Sequence, residues 1–161
     1  MTNFTGANVI TTSDVTKYQP DAFDFGISTT ATETTNFLAQ TTNDILRNLR
    51  IKWWPVYKTN VFTDITVLGS VEIDNTKVNL DQFERAGVYL FLGRFLCPAL
   101  SKFRPETEKD RFERMAEHYI SEYNKEFDSI LEDGVEYDTT GDGNIVKSER
   151  EPLHGTRRLV R

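Results

Sequence analysis

Apolar residues recur at steps of three and four along three stretches of this chain, and lose that spacing between and beyond them. The clearest stretch runs from about Glu106 to Leu131. Phe112, Met115, Ala116, Tyr119, Ile120, Tyr123, Phe127, Ile130 and Leu131 form one stripe there, which predicts a long amphipathic helix. An earlier stretch, Thr34 to Trp53, places Phe37, Leu38, Ile45, Leu46, Leu49 and Trp53 at helical spacing, with Arg47, Asn48, Arg50 and Lys52 on the other faces. Pro55 is expected to stop it, because the residue before a proline is pushed out of the α region. Between these two, a helix from Asp81 to about Lys102 is apolar on nearly every side from Ala86 to Leu100, with Arg94 its only charge there. A helix apolar all round is buried, so this is the expected central element. Asp81 and Glu84 suit an acidic capping box at its start, and Arg104-Pro105-Glu106 a turn at its end.

Elsewhere the pattern changes. Ile65-Thr66-Val67-Leu68 and Val71-Glu72-Ile73-Asp74 flank Gly69-Ser70, and glycine first in a two-residue loop is what a type II′ hairpin needs. The first 33 residues are polar and rich in threonine, which disfavours a stable helix and suits an extended arm. Ser13-Asp14 is placed to cap one short turn through Lys17-Tyr18, while Phe23, Phe25 and Ile27 alternate as in a strand or a surface arm. The expected fold is therefore mainly α: a small bundle of three main helices with a β-hairpin excursion and extended N- and C-terminal arms. Residues 1–33 are the polar arm, 34–133 the bundle with its hairpin at about 61–76, and 134–161 an acidic glycine turn followed by a basic tail.

Length and composition narrow the class. A chain of 161 residues is long enough for one domain with its own core. A hydrophobic share of 38% with 27% charged fits a soluble globular protein. The net charge of −6 argues against a dedicated nucleic-acid binder. Cys97, the only cysteine, lies in an apolar run, so it is expected as a buried thiol with no disulfide framework around it. The first cation is Lys17, so no signal peptide is expected. The run Val88 to Leu100 contains Arg94 and is too short for a bilayer. Synthesis in a reducing cytoplasm, or assembly into a particle there, follows as the expectation.

The catalytic inventory is thin. The chain has two histidines, His118 and His154, and lacks a glycine-rich phosphate loop or a nucleophile elbow. His118 falls off the apolar stripe and is expected in solvent. No enzymatic activity and no cofactor are expected. One motif carries metal chemistry: Asp138 to Glu149 fits the twelve-residue calcium loop, with Asp138, Asp142 and Glu149 as carboxylate ligands and Gly143 at the sharp turn. Thr140 stands where Asp or Asn is expected, and Pro152 interrupts the exiting helix. A surface turn is favoured instead, with Val135-Glu136-Tyr137 and Asn144-Ile145-Val146 as its two short strands. The tail His154-Gly155-Thr156-Arg157-Arg158-Leu159-Val160-Arg161 has three arginines and no acid, and is too short to bury anything itself.

The layout as a whole carries a resemblance. A helix ends in Trp53-Trp54, followed by a hairpin-like excursion and an apolar helix. After them come a helix of the form Asp110-Arg111-Phe112-x-x-Met115-Ala116-Glu117-x-Tyr119-x-x-x-Tyr123, a Gly134-Val135-x-Tyr137-Asp138-x-x-Gly141-Asp142-Gly143 turn and an arginine-bearing end. From about Thr34 onward this resembles the head–tail connector (adaptor, or head-completion) proteins of tailed bacteriophages. The resemblance implies a homo-oligomeric ring, usually of twelve copies, beneath the portal protein in the virion neck. Such a ring extends the DNA exit channel and presents a platform to a downstream neck or tail protein. It implies that the segment matching Pro152 to Arg161 docks on the portal. Arg157, Arg158 and Arg161 would meet acidic or carbonyl groups there, with Leu159 and Val160 in a small apolar crevice. An acidic lumen would repel the DNA backbone, so DNA passes without specific binding, and Asp64, Glu72 and Asp74 are candidates to line it. No membrane is involved. Two alternatives stand beside it: another neck or tail ring protein, such as a stopper or tail terminator, and a calcium-binding interaction module using the 138–149 loop.

Overall fold

The computed structural model describes residues 8–61, 71–101 and 110–151, and these are mainly helical. In chain order the helices are α1 (Thr12–Tyr18), α2 (Thr32–Lys52), α3 (Trp54–Val61), α4 (Glu84–Phe91), α5 (Cys97–Leu100) and α6 (Arg111–Asp133). Strands β1 (Val135–Glu136) and β2 (Arg150–Glu151) pair antiparallel after them. Among the described residues no helix is long and apolar enough to cross a membrane.

In α2, Leu38, Ile45 and Leu49 are buried on one face together with Thr34, Thr41 and Thr42. Those threonines are tolerated inside because their hydroxyls donate to backbone carbonyls of Ser28, Phe37 and Leu38. Pro55 does not end the helical path as expected. The chain turns at Trp53, and Pro55 sits in the first turn of α3, where its missing N–H is not needed. The helical path therefore continues to Val61, where the expected hairpin excursion begins. The hairpin's turn and its first strand lie outside the described residues. Its second half, Val71 to Asp74, forms no strand; it runs into a 3-10 turn at Asn75–Lys77.

The central helix is segmented. It starts as a 3-10 turn, Leu80–Phe83, and its cap is Asn79, whose side chain accepts the Asp81 N–H at 3.2 Å. The Asp81–Glu84 capping box is therefore replaced by an Asn cap. Between α4 and α5 lies a π-helical turn, Leu92–Leu96, in which the N–H of Cys97 reaches back to the carbonyl of Leu92. Pro98 supplies the reason: it donates no N–H, and its ring would collide with the carbonyl of Arg94 in a regular helix. The wide turn removes that conflict. Ala86, Val88, Leu90, Phe91, Leu92, Leu96 and Cys97 are all nearly inaccessible, as expected of a central element. Each large side chain among them contributes roughly 1.5–3 kcal/mol of apolar burial. Arg94 is the exception, exposed and facing Asp44 of α2 at 3.3 Å.

α6 is capped by the Asp110 carboxylate, which accepts the Arg111 N–H, and ends at Gly134, whose φ of 105° suits a residue without a Cβ. Its stripe is buried at Tyr123, Phe127, Ile130 and Leu131, but only half-buried at Phe112, Met115 and Ala116. Asn48 donates to the Tyr123 hydroxyl at 2.6 Å and Lys52 meets Asp128 at 3.1 Å, so α2 runs parallel to α6. Burial pushes the Tyr123 hydroxyl up to about 12, against the opposing pull of the Asn48 hydrogen bond. Arg85 faces Glu126 while Gly93 faces Ile120, so α4 runs antiparallel to α6.

The segment 8–33 is not an extended surface arm. Val9, Ile10 and Val15 are core residues, and the Val9 N–H donates to Thr42 Oγ1 at 2.9 Å. Gly87 makes the room: a Cβ there would lie 2.9 Å from Ile10 Cγ2 and 3.0 Å from Val9 Cγ1. α1 forms because Thr11 and Asp14 cap each other reciprocally, outweighing the low helix propensity of the threonines. Phe23 and Phe25 fall in turns rather than a strand.

Gly93 gives the first test. A Cβ at this position would meet the Ile120 nitrogen at 3.0 Å and the Ala116 carbonyl at 3.1 Å, both backbone atoms that cannot swing aside. Gly93→Ala is expected to cost about 1–3 kcal/mol, read as a lower Tm in a thermal melt. An unchanged Tm would show that the π turn and α6 do not meet this closely.

Candidate functional site

One pole of the molecule gathers the C-terminal ends of α2 and α6, the segment 71–79 and the acidic turn. Its floor is aromatic. Trp53, Trp54, Tyr57 and Tyr137 are all buried, and their ring centroids lie between 4.5 and 5.9 Å apart. Rings at such separations add to plain area burial. Their polar ends tie neighbouring segments down. Trp54 Nε1 donates to the Val71 carbonyl, the Tyr137 hydroxyl accepts the Asp74 N–H, and the Tyr57 hydroxyl lies 2.8 Å from Thr139 Oγ1. Burial raises the Tyr137 hydroxyl above its usual range. Backbone bonds from Asp138 N–H to the Lys77 carbonyl and from Asn79 N–H to the Glu136 carbonyl fasten the turn to the 71–79 segment.

The turn closes on two carboxylates. Asp138 and Glu149 are each only 4% exposed. Asp138 accepts the N–H groups of Gly141 at 2.6 Å and Gly143 at 2.8 Å, and Glu149 accepts those of Thr140 at 3.0 Å and Val146 at 3.1 Å. The Thr140 hydroxyl stands 3.2 Å from an oxygen of each. For Asp138, burial alone would raise the carboxyl, but the N–H groups of Gly143 and Gly141 and the Thr140 hydroxyl outweigh it, and the net shift is downward. Glu149 is lowered chiefly by the Val146 and Thr140 N–H groups. Gly141 and Gly143, at φ of 77° and 79°, let the backbone curl so that these donors point inward.

Of the three calcium candidates, the structure brings Asp138 and Glu149 together across Thr140. Asp142 stays on the exposed rim, where its carboxylate takes the Asn144 N–H at 2.8 Å. Among the described residues no group of three His, Cys, Asp or Glu side chains is placed to share a metal ion. The strand pairing also differs from expectation. β1 pairs with Arg150–Glu151 rather than with Asn144-Ile145-Val146, because the buried Glu149 brings the residues just after it alongside β1.

The portal-binding candidates Arg157, Arg158, Leu159, Val160 and Arg161 lie outside the described residues, as do His154 and Asp64. Glu72 is exposed, whereas Asp74 is engaged locally: the Thr76 hydroxyl, then its N–H, hold the carboxyl below its usual range. His118 is exposed on α6, and burial pushes the Cys97 thiol up to about 11. The sequence reading passed over the aromatic floor. Its signal was present in Trp53-Trp54-x-x-Tyr57, which puts three large rings on adjoining faces of consecutive helical turns.

No family model, no curated protein and no solved structure matches this chain.

The two carboxylates set a pH dependence. Both are depressed in the folded protein, so their contribution is complete above the ordinary carboxylate range and is lost as pH falls through the folded values. Chemical denaturation between pH 6 and 3 should show stability falling with acid. Asp138→Asn with Glu149→Gln should be less stable at pH 6, by a Tm of roughly 3–8 °C, and flatter below it. Millimolar calcium should leave the wild-type Tm unchanged. A calcium-dependent rise that disappears in Glu149→Gln would make the loop a cation site instead.

Proposed function

We propose that this chain is a structural protein of a tailed-bacteriophage neck: a connector subunit that forms a ring under the portal, extends the DNA exit channel and docks through its C-terminal tail. The observation that carries the reading is the anchorage of the residues just before that tail. Arg150 and Glu151 pair with Glu136 and Val135, and the Arg150 guanidinium meets the Glu136 carboxylate. The Asp138–Glu149 closure and the aromatic floor hold that ladder to the helices. The tail from Pro152 to Arg161, with its three arginines beside Leu159 and Val160, follows directly on that ladder in the sequence. A fixed origin lowers the ordering cost of docking a short segment. Each contact of this size is weak, and a ring multiplies it through effective concentration.

In this reading α2, the α4–α5 segment and α6 are the three-helix bundle, and the chain between α3 and Val71 is the excursion. The helical content supports a connector over a stopper or tail terminator, which are usually richer in strands. The described strands amount to two residues each. In the calcium-module reading the same carboxylates would serve a cation, but here backbone N–H groups already occupy them.

Co-sedimentation with the portal protein encoded in the same genome tests the assignment. The full chain should pellet with portal, and a chain ending at Leu153, or one lacking Leu159-Val160-Arg161, should stay in the supernatant with an unchanged helical circular dichroism spectrum. Equal binding by the truncated forms would remove the tail from the interface. Absence of binding by the full chain would remove the connector assignment.

A further inference from the structure

The outer face of α2 carries charge that the subunit itself does not use. Arg47 and Arg50 are exposed and make no ion pair among the described residues, and Ile51 beside them is 61% exposed. Val56, at the start of α3, is exposed too, at 37%. From Asn36 through Gln40 and Asn43 to Arg50 this face holds no acid. Asn48 and Lys52 join α2 to α6 by a hydrogen bond and an ion pair, and the helical repeat turns Arg50 about 160° and Arg47 about 100° away from Asn48. These arginines therefore point away from the acids of their own α6.

α6 has the opposite imbalance. From Glu122 to Asp133 it carries Glu122, Glu126, Asp128, Glu132 and Asp133 against Lys125 alone. Three of the acids are engaged: Glu122 with Lys125, Glu126 with Arg85, and Asp128 with Lys52. Glu132 and Asp133 are exposed, make no ion pair among the described residues, and occupy a last turn that contains no basic residue. That turn ends in the negative pole of the helix macrodipole, the least favourable place for two carboxylates without a counter-charge. Among the described residues both sets are unmatched, although they would match each other.

We infer that the Arg47–Arg50–Ile51 face of α2 docks against the Glu132–Asp133 end of α6 in a second copy of this chain. The occupant is a like subunit because the complementary charge is found on this chain's own surface. Ile51 and Val56 supply apolar area that charge alone would not, since exposed ion pairs are individually weak. The contact joins two different surfaces, so it is head-to-tail and propagates from copy to copy, closing into a ring when the rotation allows. It rests on the proposed function only in specifying how that ring's subunits would meet. The portal test and the test below can fail separately, since a subunit that never self-associates in solution could still pellet with portal.

Sedimentation velocity over a protein concentration series, at low and high salt, reads the contact. Wild type should self-associate, and less so at high salt. The double variant Arg47→Glu/Arg50→Glu carries acid on both surfaces, and Glu132→Arg/Asp133→Arg carries base on both. Each alone should lose about tenfold or more in association constant, with an unchanged helical circular dichroism spectrum because all four residues are exposed. An equimolar mixture of the two should associate again, the native α6 end of the first variant meeting the native α2 face of the second, and the two inverted faces meeting each other. Wild type that stays monomeric throughout, variants that associate like wild type, or a mixture that fails to recover would each overturn the inference.

Discussion

The fold depends on how closely the π turn after α4 approaches α6 at Gly93. With Ile120 and Ala116 backbone atoms about 3 Å from where a Cβ would stand, the two helices meet main chain to main chain. That approach sets the depth at which Phe91, Leu92 and Leu96 lie, and hence how much of α6 is covered. Pro98 and the π turn belong to the same constraint. The chain must widen just where it passes Gly93, and the widened turn still leaves Leu92, Gly93 and Leu96 buried. On the other side of α4, Gly87 repeats the device, its missing side chain replaced by Val9 and Ile10.

The acidic turn and the aromatic floor are two halves of one construction. Tyr57 and Tyr137 belong to the floor, yet their hydroxyls hold the turn and the 71–79 segment. Asp138 and Glu149 belong to the turn, yet their backbones are bonded to Lys77 and Tyr137. An acid that accepts several N–H groups tolerates burial that a free carboxylate would not. Such carboxylates therefore act as internal staples in a region of two-residue strands.

Much of the helical layout was legible from periodicity. α2 was placed nearly to its ends and α6 to its C-terminal end, because stripes at Ile45, Leu49, Tyr123 and Phe127 leave no other solution for burial; α6 starts at Arg111 rather than about Glu106, since Asp110 caps it. The errors share a cause: local rules applied where a distant segment decides. The threonine-rich start was read as an arm, since nothing nearby reveals that Gly87 would open a seat for Val9 and Ile10. Pro55 was read as a stop, although a proline serves equally well in a first turn. The strand partner of β1 was misplaced because its register is set by the burial of Glu149, not by the apolar look of Ile145-Val146. At the candidate site the sequence named Asp138 and Glu149 but not what they do. The role of Thr140 depends on its hydroxyl lying between them, which spacing alone does not give.

The pairing of β1 with β2 also has a mechanical meaning. The two strands are antiparallel with Val135 opposite Glu151, so tension applied beyond Glu151 loads that pair first and then meets the Arg150–Glu136 contact. Glu136, gripped by Arg150, follows α6 after a single glycine and one valine, so the load passes almost directly into the longest helix. A short ladder at the root of the tail thus works as a strain relief, keeping a pull at the chain's end from peeling the acidic turn off its aromatic seat.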